Sequence, residues 1–168
     1  MPLTHKDNTM IDKPYIQIAE ELIKEAEDLE LKPYRDTVGK LTIGYGRNLE
    51  DSGITEEEAK YLLAQDQIRS HNELTGNFAF FQKMDPVRQA VLADMHMNMG
   101  LSRLLTFKKM LTACQFKDWD TAAAELMDSK YFRQTHSRAK RNYMMMKFGR
   151  IYTREEAVKF FNDNHMGI

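Results

Sequence analysis

The sequence predicts an α+β, mostly helical fold: a small hairpin-bearing N-terminal lobe and an all-helical C-terminal lobe joined by a long helix. Three observations carry this expectation. The stretches "DTVGK" and "LTIGYG" have the texture of short strands around a turn. "ITEEEAKYLLAQDQIRSHNEL" has a capped start and the strongest helical pattern in the chain. Everything after it is helical in spacing. At 168 residues, 42% hydrophobic and 29% charged, the chain suits a single domain. Its expected parts are an N-terminal extension (1–15), an N-terminal lobe (16–54), a linking helix (55–75) and a helical lobe (76–168).

In the first lobe, Ile16, Ala19, Leu22, Ile23, Ala26 and Leu29 recur at helical spacing. Asp12 can cap that helix, and Pro14 is tolerated in its first turn. The helix should run out near Glu27 or Asp28. Two short strands follow around a turn containing Gly39, with Asp36 ending the first strand and Thr42 in the second. Gly44 and Gly46 weaken a strand unless something must approach its backbone closely.

The linking helix opens with a capping box, Thr55 and Glu58, and Ala59, Leu62, Leu63 and Ile68 form its expected buried stripe. Next, "MDPVRQAVLADMHMNMG" has Asp85 as cap, Pro86 in the first turn and Gly100 at its end. "LLTFKKMLTACQ", "KDWDTAAAELMD", "SKYFRQ", "HSRAKRNYMMMKF" and "TREEAVKFFND" continue the helical lobe, the last with Thr153 and Glu156 as a second capping box. Twelve methionines are best explained as core filling, with Met97 set apart by its neighbour Asn98. Trp119 should pack in the C-terminal lobe, and Cys114 should be an inert buried thiol. His96 lacks a metal-spaced partner, so no metal or other cofactor is expected.

Charge divides the chain. Residues 1–75 carry nine Lys and Arg against sixteen Asp and Glu, and residues 76–168 carry fifteen against nine. Within residues 129–150 there are seven basic residues and no acid, which points to an anionic partner. The start, "MPLTHKDNTMIDKP", lacks the apolar core of a signal peptide, and nothing approaches the length of a bilayer span. Synthesis and folding in the cytoplasm are expected, and a single cysteine agrees with a reducing compartment.

Five carboxylates fall within residues 25–36. For Glu25, Asp28 and Glu30 a solvated helix face suffices. Glu27 and Asp36 differ, because a hairpin folded back across the helix end would bring them and Thr42 around one cleft. Glycoside hydrolysis needs two carboxyl groups: one protonated to donate to the leaving oxygen, the other ionised. The negative end of a helix macrodipole favours a neutral acid, and a wetter hairpin favours a carboxylate.

Glu27, Asp36 and Thr42, set within "EDLELKPYRDTVGKLTIGYG", resemble the catalytic segment of the phage-type lysozymes, the T-even bacteriophage kind. The resemblance continues through "NLEDSGITEEEAKYLLAQD", "DPVRQAVLADMHMNMG" and "WDTAAAELMDSKYFRQTHSRAKR", covering roughly Ile18 to Arg150 in order. It implies a lysozyme-like fold and hydrolysis of peptidoglycan between N-acetylmuramic acid and N-acetylglucosamine. Glu27 would be the general acid, Asp36 the base or charge stabiliser, and Thr42 the holder of an attacking water, with inversion at the anomeric carbon. Arg138 matches an arginine that reaches across the cleft to the catalytic glutamate, orienting it and closing the lobes. Gly44, Asn48, Met97, Asn98 and Tyr131 would contribute to substrate binding. The chain departs from the family at Asp28, where Gly is common, at Arg47, where His is common, and at Tyr131, where Trp is common; these bear on sugar and stem-peptide preference.

The partner implied is the peptidoglycan glycan strand, itself anionic through its stem peptides. A monomer is expected, with no nucleic acid and no stable membrane anchor, reaching the wall after release through a separate holin-like protein. Two rivals stand beside this reading. One is a catalytically inactive wall-binding relative; the other is a helical nucleic-acid-binding module using Arg138, Lys140, Arg141, Lys147 and Arg150.

Overall fold

The computed structural model describes residues 14–166. Up to Ala59 these residues form one compact unit, and from Lys60 on they form a second. The cap expected at Asp12 lies outside the described residues.

The first unit opens with helix α1, Pro14–Ala26. Its apolar stripe is shallowly used: Ile16 and Ala19 are half-buried, while Ile18, Leu22 and Ile23 remain exposed. Three antiparallel strands follow in the order β1 (Glu30–Arg35), β2 (Leu41–Gly44), β3 (Arg47–Asn48). The sequence led us to expect two strands; β3 is too short to show a period of its own. In the central strand, Thr42 stands opposite Tyr34 on one side and Asn48 on the other. The register of β1 and β2 shifts between Glu30 and Tyr34. Pro33 lies within that stretch, where its missing N–H costs the ladder nothing. A further short helix, α2 (Leu49–Ser52), was not foreseen; Asn48 caps it by accepting from the amide of Asp51.

Helix α3, Glu56–Asn77, carries the chain from the first unit into the second. Its capping box is present: Thr55 Oγ1 accepts from the Glu58 amide, and Glu58 accepts from the Thr55 amide at 2.7 Å. The stripe expected along this helix is not buried. Leu62, Leu63 and Ile68 are about half exposed, and the helix gives only Ser70 and Leu74 to the interior. The correction has a positional cause: the apolar core meets the helix only in its last two turns.

That core belongs to the helical unit. After a 3-10 turn at Phe81–Lys83 come α4 (Pro86–Met99), α5 (Leu101–Leu104), α6 (Lys108–Gln115), α7 (Trp119–Met127), α8 (Lys130–Thr135), α9 (Ser137–Phe148) and α10 (Arg154–Asp163). Val91, Leu92 and Met95 of α4, Leu126 of α7, Met146 of α9 and Phe161 of α10 are almost completely buried. Met84, Met95, Met110 and Met144 to Met146 fill the core as expected, whereas Met97 stays 40% exposed. The caps read from sequence also hold. Asp85 accepts from the Arg88 amide, Gly100 ends α4, and Thr153 with Glu156 forms a full capping box.

One arginine ties three helices together. Arg88 donates from Nε to the Met146 carbonyl at 2.7 Å and from Nη2 to the Lys147 carbonyl at 3.0 Å, while Nη1 meets Asp85 at 2.9 Å. Its guanidinium also lies 4.3 Å from the centre of the half-buried Trp119 ring. The last carbonyls of α9 thereby gain partners that the helix cannot supply. Arg88→Lys keeps the charge but loses the fork, and should lower stability by roughly 2 kcal/mol in urea unfolding.

Candidate active site

The hairpin is built around Asp36. Strand β1 stops at Arg35, so Asp36 heads the turn instead of ending the strand. Its Oδ1 accepts from the amides of Val38 at 3.0 Å and Lys40 at 2.8 Å, and its own amide donates to the Lys40 carbonyl. Asp fits this place because its short carboxylate can satisfy amides just ahead of it. Gly39 supplies the turn's positive φ of 88°.

The turn leaves Oδ2 of Asp36 facing the hydroxyl of Thr42, 3.5 Å away. That separation exceeds an ordinary O–H···O bond, and the hydroxyl's nearer acceptor is the Lys40 carbonyl at 3.1 Å. Thr42 is only 2% exposed, so its hydroxyl direction is fixed by packing and by that carbonyl. Asp36 and Thr42 are thus adjacent, as the sequence spacing anticipated.

Glu27 sits one residue beyond α1, with its amide still bonded to the Ile23 carbonyl at 2.8 Å. Its side chain runs to the turn between β2 and β3. A Cβ built on Gly46 would stand 3.3 Å from Glu27 Cδ and 3.4 Å from Oε2. The glycine supplies a φ of +73°, and a side chain there would make the Glu27 carboxyl give way by a few tenths of an ångström. The sequence led us to expect a close approach to the backbone at Gly44 and Gly46; at Gly46 the close neighbour is the Glu27 carboxyl. Nothing comparable lies beside Gly44. Asn48 is engaged as the α2 cap, its Nδ2 donating to Asp51 at 2.8 Å and its Oδ1 accepting from the Asp51 amide. Arg47 donates from Nε to the Gly53 carbonyl at 3.0 Å and pairs with Glu58.

In the helical unit the four remaining candidates divide between two depressions. Asn98 and Tyr131 line one of about 700 Å³, with Arg103, Lys108 and Lys130 on its walls. Met97 and Arg138 line another of about 660 Å³. A carboxylate that sequence reasoning passed over connects them. Asp94 accepts from Arg138 Nε and Nη2, both at 2.9 Å, from Arg141 Nη2 at 3.2 Å and from Asn142 Nδ2 at 2.7 Å. Asn142, fully buried, also donates to the Tyr131 hydroxyl at 3.1 Å. Burial pushes the Asp94 carboxyl up, but the bonds from Arg138 and Asn142 and the two guanidinium charges outweigh it and hold it below the usual range. Burial, then the Asp94 charge, raise the Tyr131 phenol. The signal was available in the sequence: an ionisable residue inside the apolar run "VLADMHM" must find partners when its helix packs.

His96, expected from the sequence at a partly buried or surface position, is buried, with its Nε2 2.8 Å from Glu73. Cys114 is buried beside Met146, and burial pushes its thiol up to about 12. Among the described residues no cluster of His, Cys, Asp or Glu has the arrangement of a metal site.

Two outcomes follow from this geometry. If Glu27 is functional as the resemblance implies, Gly46→Ala should impair activity on cell walls more than Gly39→Ala, which is also strained, at φ +88°, but has open space around its Cβ. The control compares activity at matched folded fractions. For Asp94 the sign is that of a depressed carboxylate. Its contribution to stability is complete above the unfolded value near about 3.9 and is lost as pH falls through the lower native value. The gap in unfolding free energy between wild type and Asp94→Asn should therefore close on acidification, read by urea unfolding from about pH 7 to about pH 2.

Comparison with known proteins gives this arrangement a setting. The phage lysozyme family profile matches residues 24–141, a span that includes Glu27, Asp36, Thr42, Asp94 and Arg138. The chain is 29% identical over 88% of its length to the pre-baseplate central spike protein Gp5 of Enterobacteria phage T4, of which it spans about 30%. It is 25% identical over 78% of its length to two probable T4-type lysozymes, 1 and 2, of Dictyostelium discoideum, covering 94% of each. With most of its length matched, hairpin and helical unit together, the chain belongs to the phage lysozyme family.

Proposed function

We propose that the protein is a muramidase that cleaves the glycosidic bond between N-acetylmuramic acid and N-acetylglucosamine in peptidoglycan, and so lyses bacterial cell walls. One observation carries the reading: within the segment matched to the lysozyme family, Asp36 presents one free carboxylate oxygen beside Thr42, and Glu27 leans on a glycine that makes room for it.

Glu27 is the general acid and donates to the leaving glycosidic oxygen. Asp36 is oriented by its role in the turn, where Oδ1 accepts two backbone amides. Oδ2 then acts as base toward a water whose second contact is the Thr42 hydroxyl. Attack from the face opposite the leaving group inverts the anomeric carbon. Gly44, Met97, Asn98, Tyr131 and Arg138 bind the glycan strand, and Asn48 contributes by anchoring β3 beside Thr42.

The nucleic-acid rival rests on Arg138, Lys140, Arg141, Lys147 and Arg150. Asp94 is shared by Arg138 and Arg141, and Asp120 pairs with Lys147 at 2.7 Å, so the cationic surface of this segment is smaller than its sequence implies. Access to the wall through a separate membrane-permeabilising protein is part of this proposal; no helix among the described residues is long and apolar enough to cross a membrane.

Purified cell walls should clear with wild type and lose nearly all clearing with Glu27→Gln, a fall of about a hundredfold or more. Equal clearing by the two proteins, or none by wild type from acid to neutral pH, removes the assignment. NMR of the first-formed anomer should show inversion; retention would make Asp36 a nucleophile.

A further inference from the structure

We propose that Asp94 is a positioning residue for glycan binding, acting through Arg138. The inference rests on the muramidase reading above, in which Arg138 and Tyr131 meet substrate.

Arginine carries five N–H donors in a rigid fork. Three of Arg138's are committed to one residue: Nε to Asp94 Oδ2, and Nη2 to both Asp94 Oδ1 and the Asp94 carbonyl at 3.2 Å. This fixes the plane of the guanidinium and leaves the two Nη1 donors for an acceptor outside the cluster. An arginine free on a helix surface would sample many rotamers and lose that freedom on binding. Asp94 removes the loss in advance while the side chain stays partly accessible, at 29%.

Charge strengthens the case. Asp94 neutralises one of two guanidinium groups, so the cluster of Asp94, Arg138 and Arg141 keeps one net positive charge. An uncharged pair would hold geometry without attracting an acceptor; two unpaired arginines would repel each other. The same carboxylate, through the buried Asn142, sets the Tyr131 hydroxyl that lines the neighbouring depression. Asn in place of Asp94 would turn an NH2 group toward donors already aimed at it, whichever way the amide lies.

The test is a mutant cycle read as kcat and KM on a soluble peptidoglycan oligosaccharide. Wild type and Glu27→Gln run alongside, and their difference alone decides the muramidase reading. Asp94→Asn should lower kcat/KM about tenfold, chiefly through KM, the size expected when a charge-assisted bond to a binding group is lost. In the double variant Asp94→Asn/Arg138→Ala, kcat/KM should match Arg138→Ala alone within about twofold, because a residue acting only through Arg138 has nothing left to act on. Penalties that multiply instead would make Asp94 a structural residue and overturn the proposal. Arg138→Lys keeps the charge without the fork and should be as impaired as Arg138→Ala. Wild-type kcat/KM in Arg138→Lys overturns the proposal even where Asp94→Asn does not fold.

Discussion

The hairpin depends on how the two oxygens of one carboxylate are used. Oδ1 of Asp36 closes the turn by accepting from Val38 and Lys40, which returns β2 along β1 and sets Thr42 in the central strand. Oδ2 is left facing Thr42. A replacement that retains the turn must accept two amides from one short side chain, and under the proposed muramidase reading it must also serve as the base. Few side chains do both, so on that reading architecture and reactivity cannot be varied separately.

The two units are held by different forces. In the helical unit a continuous apolar core, rich in methionine and crossed by the Arg88 and Asp94 networks, supplies cohesion through burial. In the first unit, Thr42 alone among the described residues is buried, and the strands are kept in register by backbone bonds, caps and the Arg47–Glu58 pair. Exposed bonds of this kind open locally at lower free energy than a packed core. Local opening is therefore expected at lower free energy in the first unit than in the helical one.

Much of this was legible in sequence, for identifiable reasons. Helices declared themselves by period and by caps such as Asp85 and Thr153, whose chemistry is local. The adjacency of Asp36 and Thr42 followed from a turn short enough to admit few geometries. What escaped depended on distant partners. The stripe of Leu62, Leu63 and Ile68 has the right spacing, yet burial requires a neighbour, and the core reaches only Ser70 and Leu74. Strand β3 and helix α2 are too short to carry periodicity. The function of Gly46 appears only when Glu27 is seen leaning on it, and that of Asp94 only when α9 brings Arg138 and Arg141 across.

The lone thiol has a use unconnected with catalysis. Cys114 lies under the core with its ionisation pushed up to about 12, so at neutral pH it is a neutral, shielded sulfur. Maleimide or spin-label reagents would pass it by. Cysteines introduced in pairs, one before Ala59 and one after Lys60, would be labelled without background and without first stripping the native residue. The chain is in this sense already prepared for distance measurements in solution, with its working surfaces left as they are.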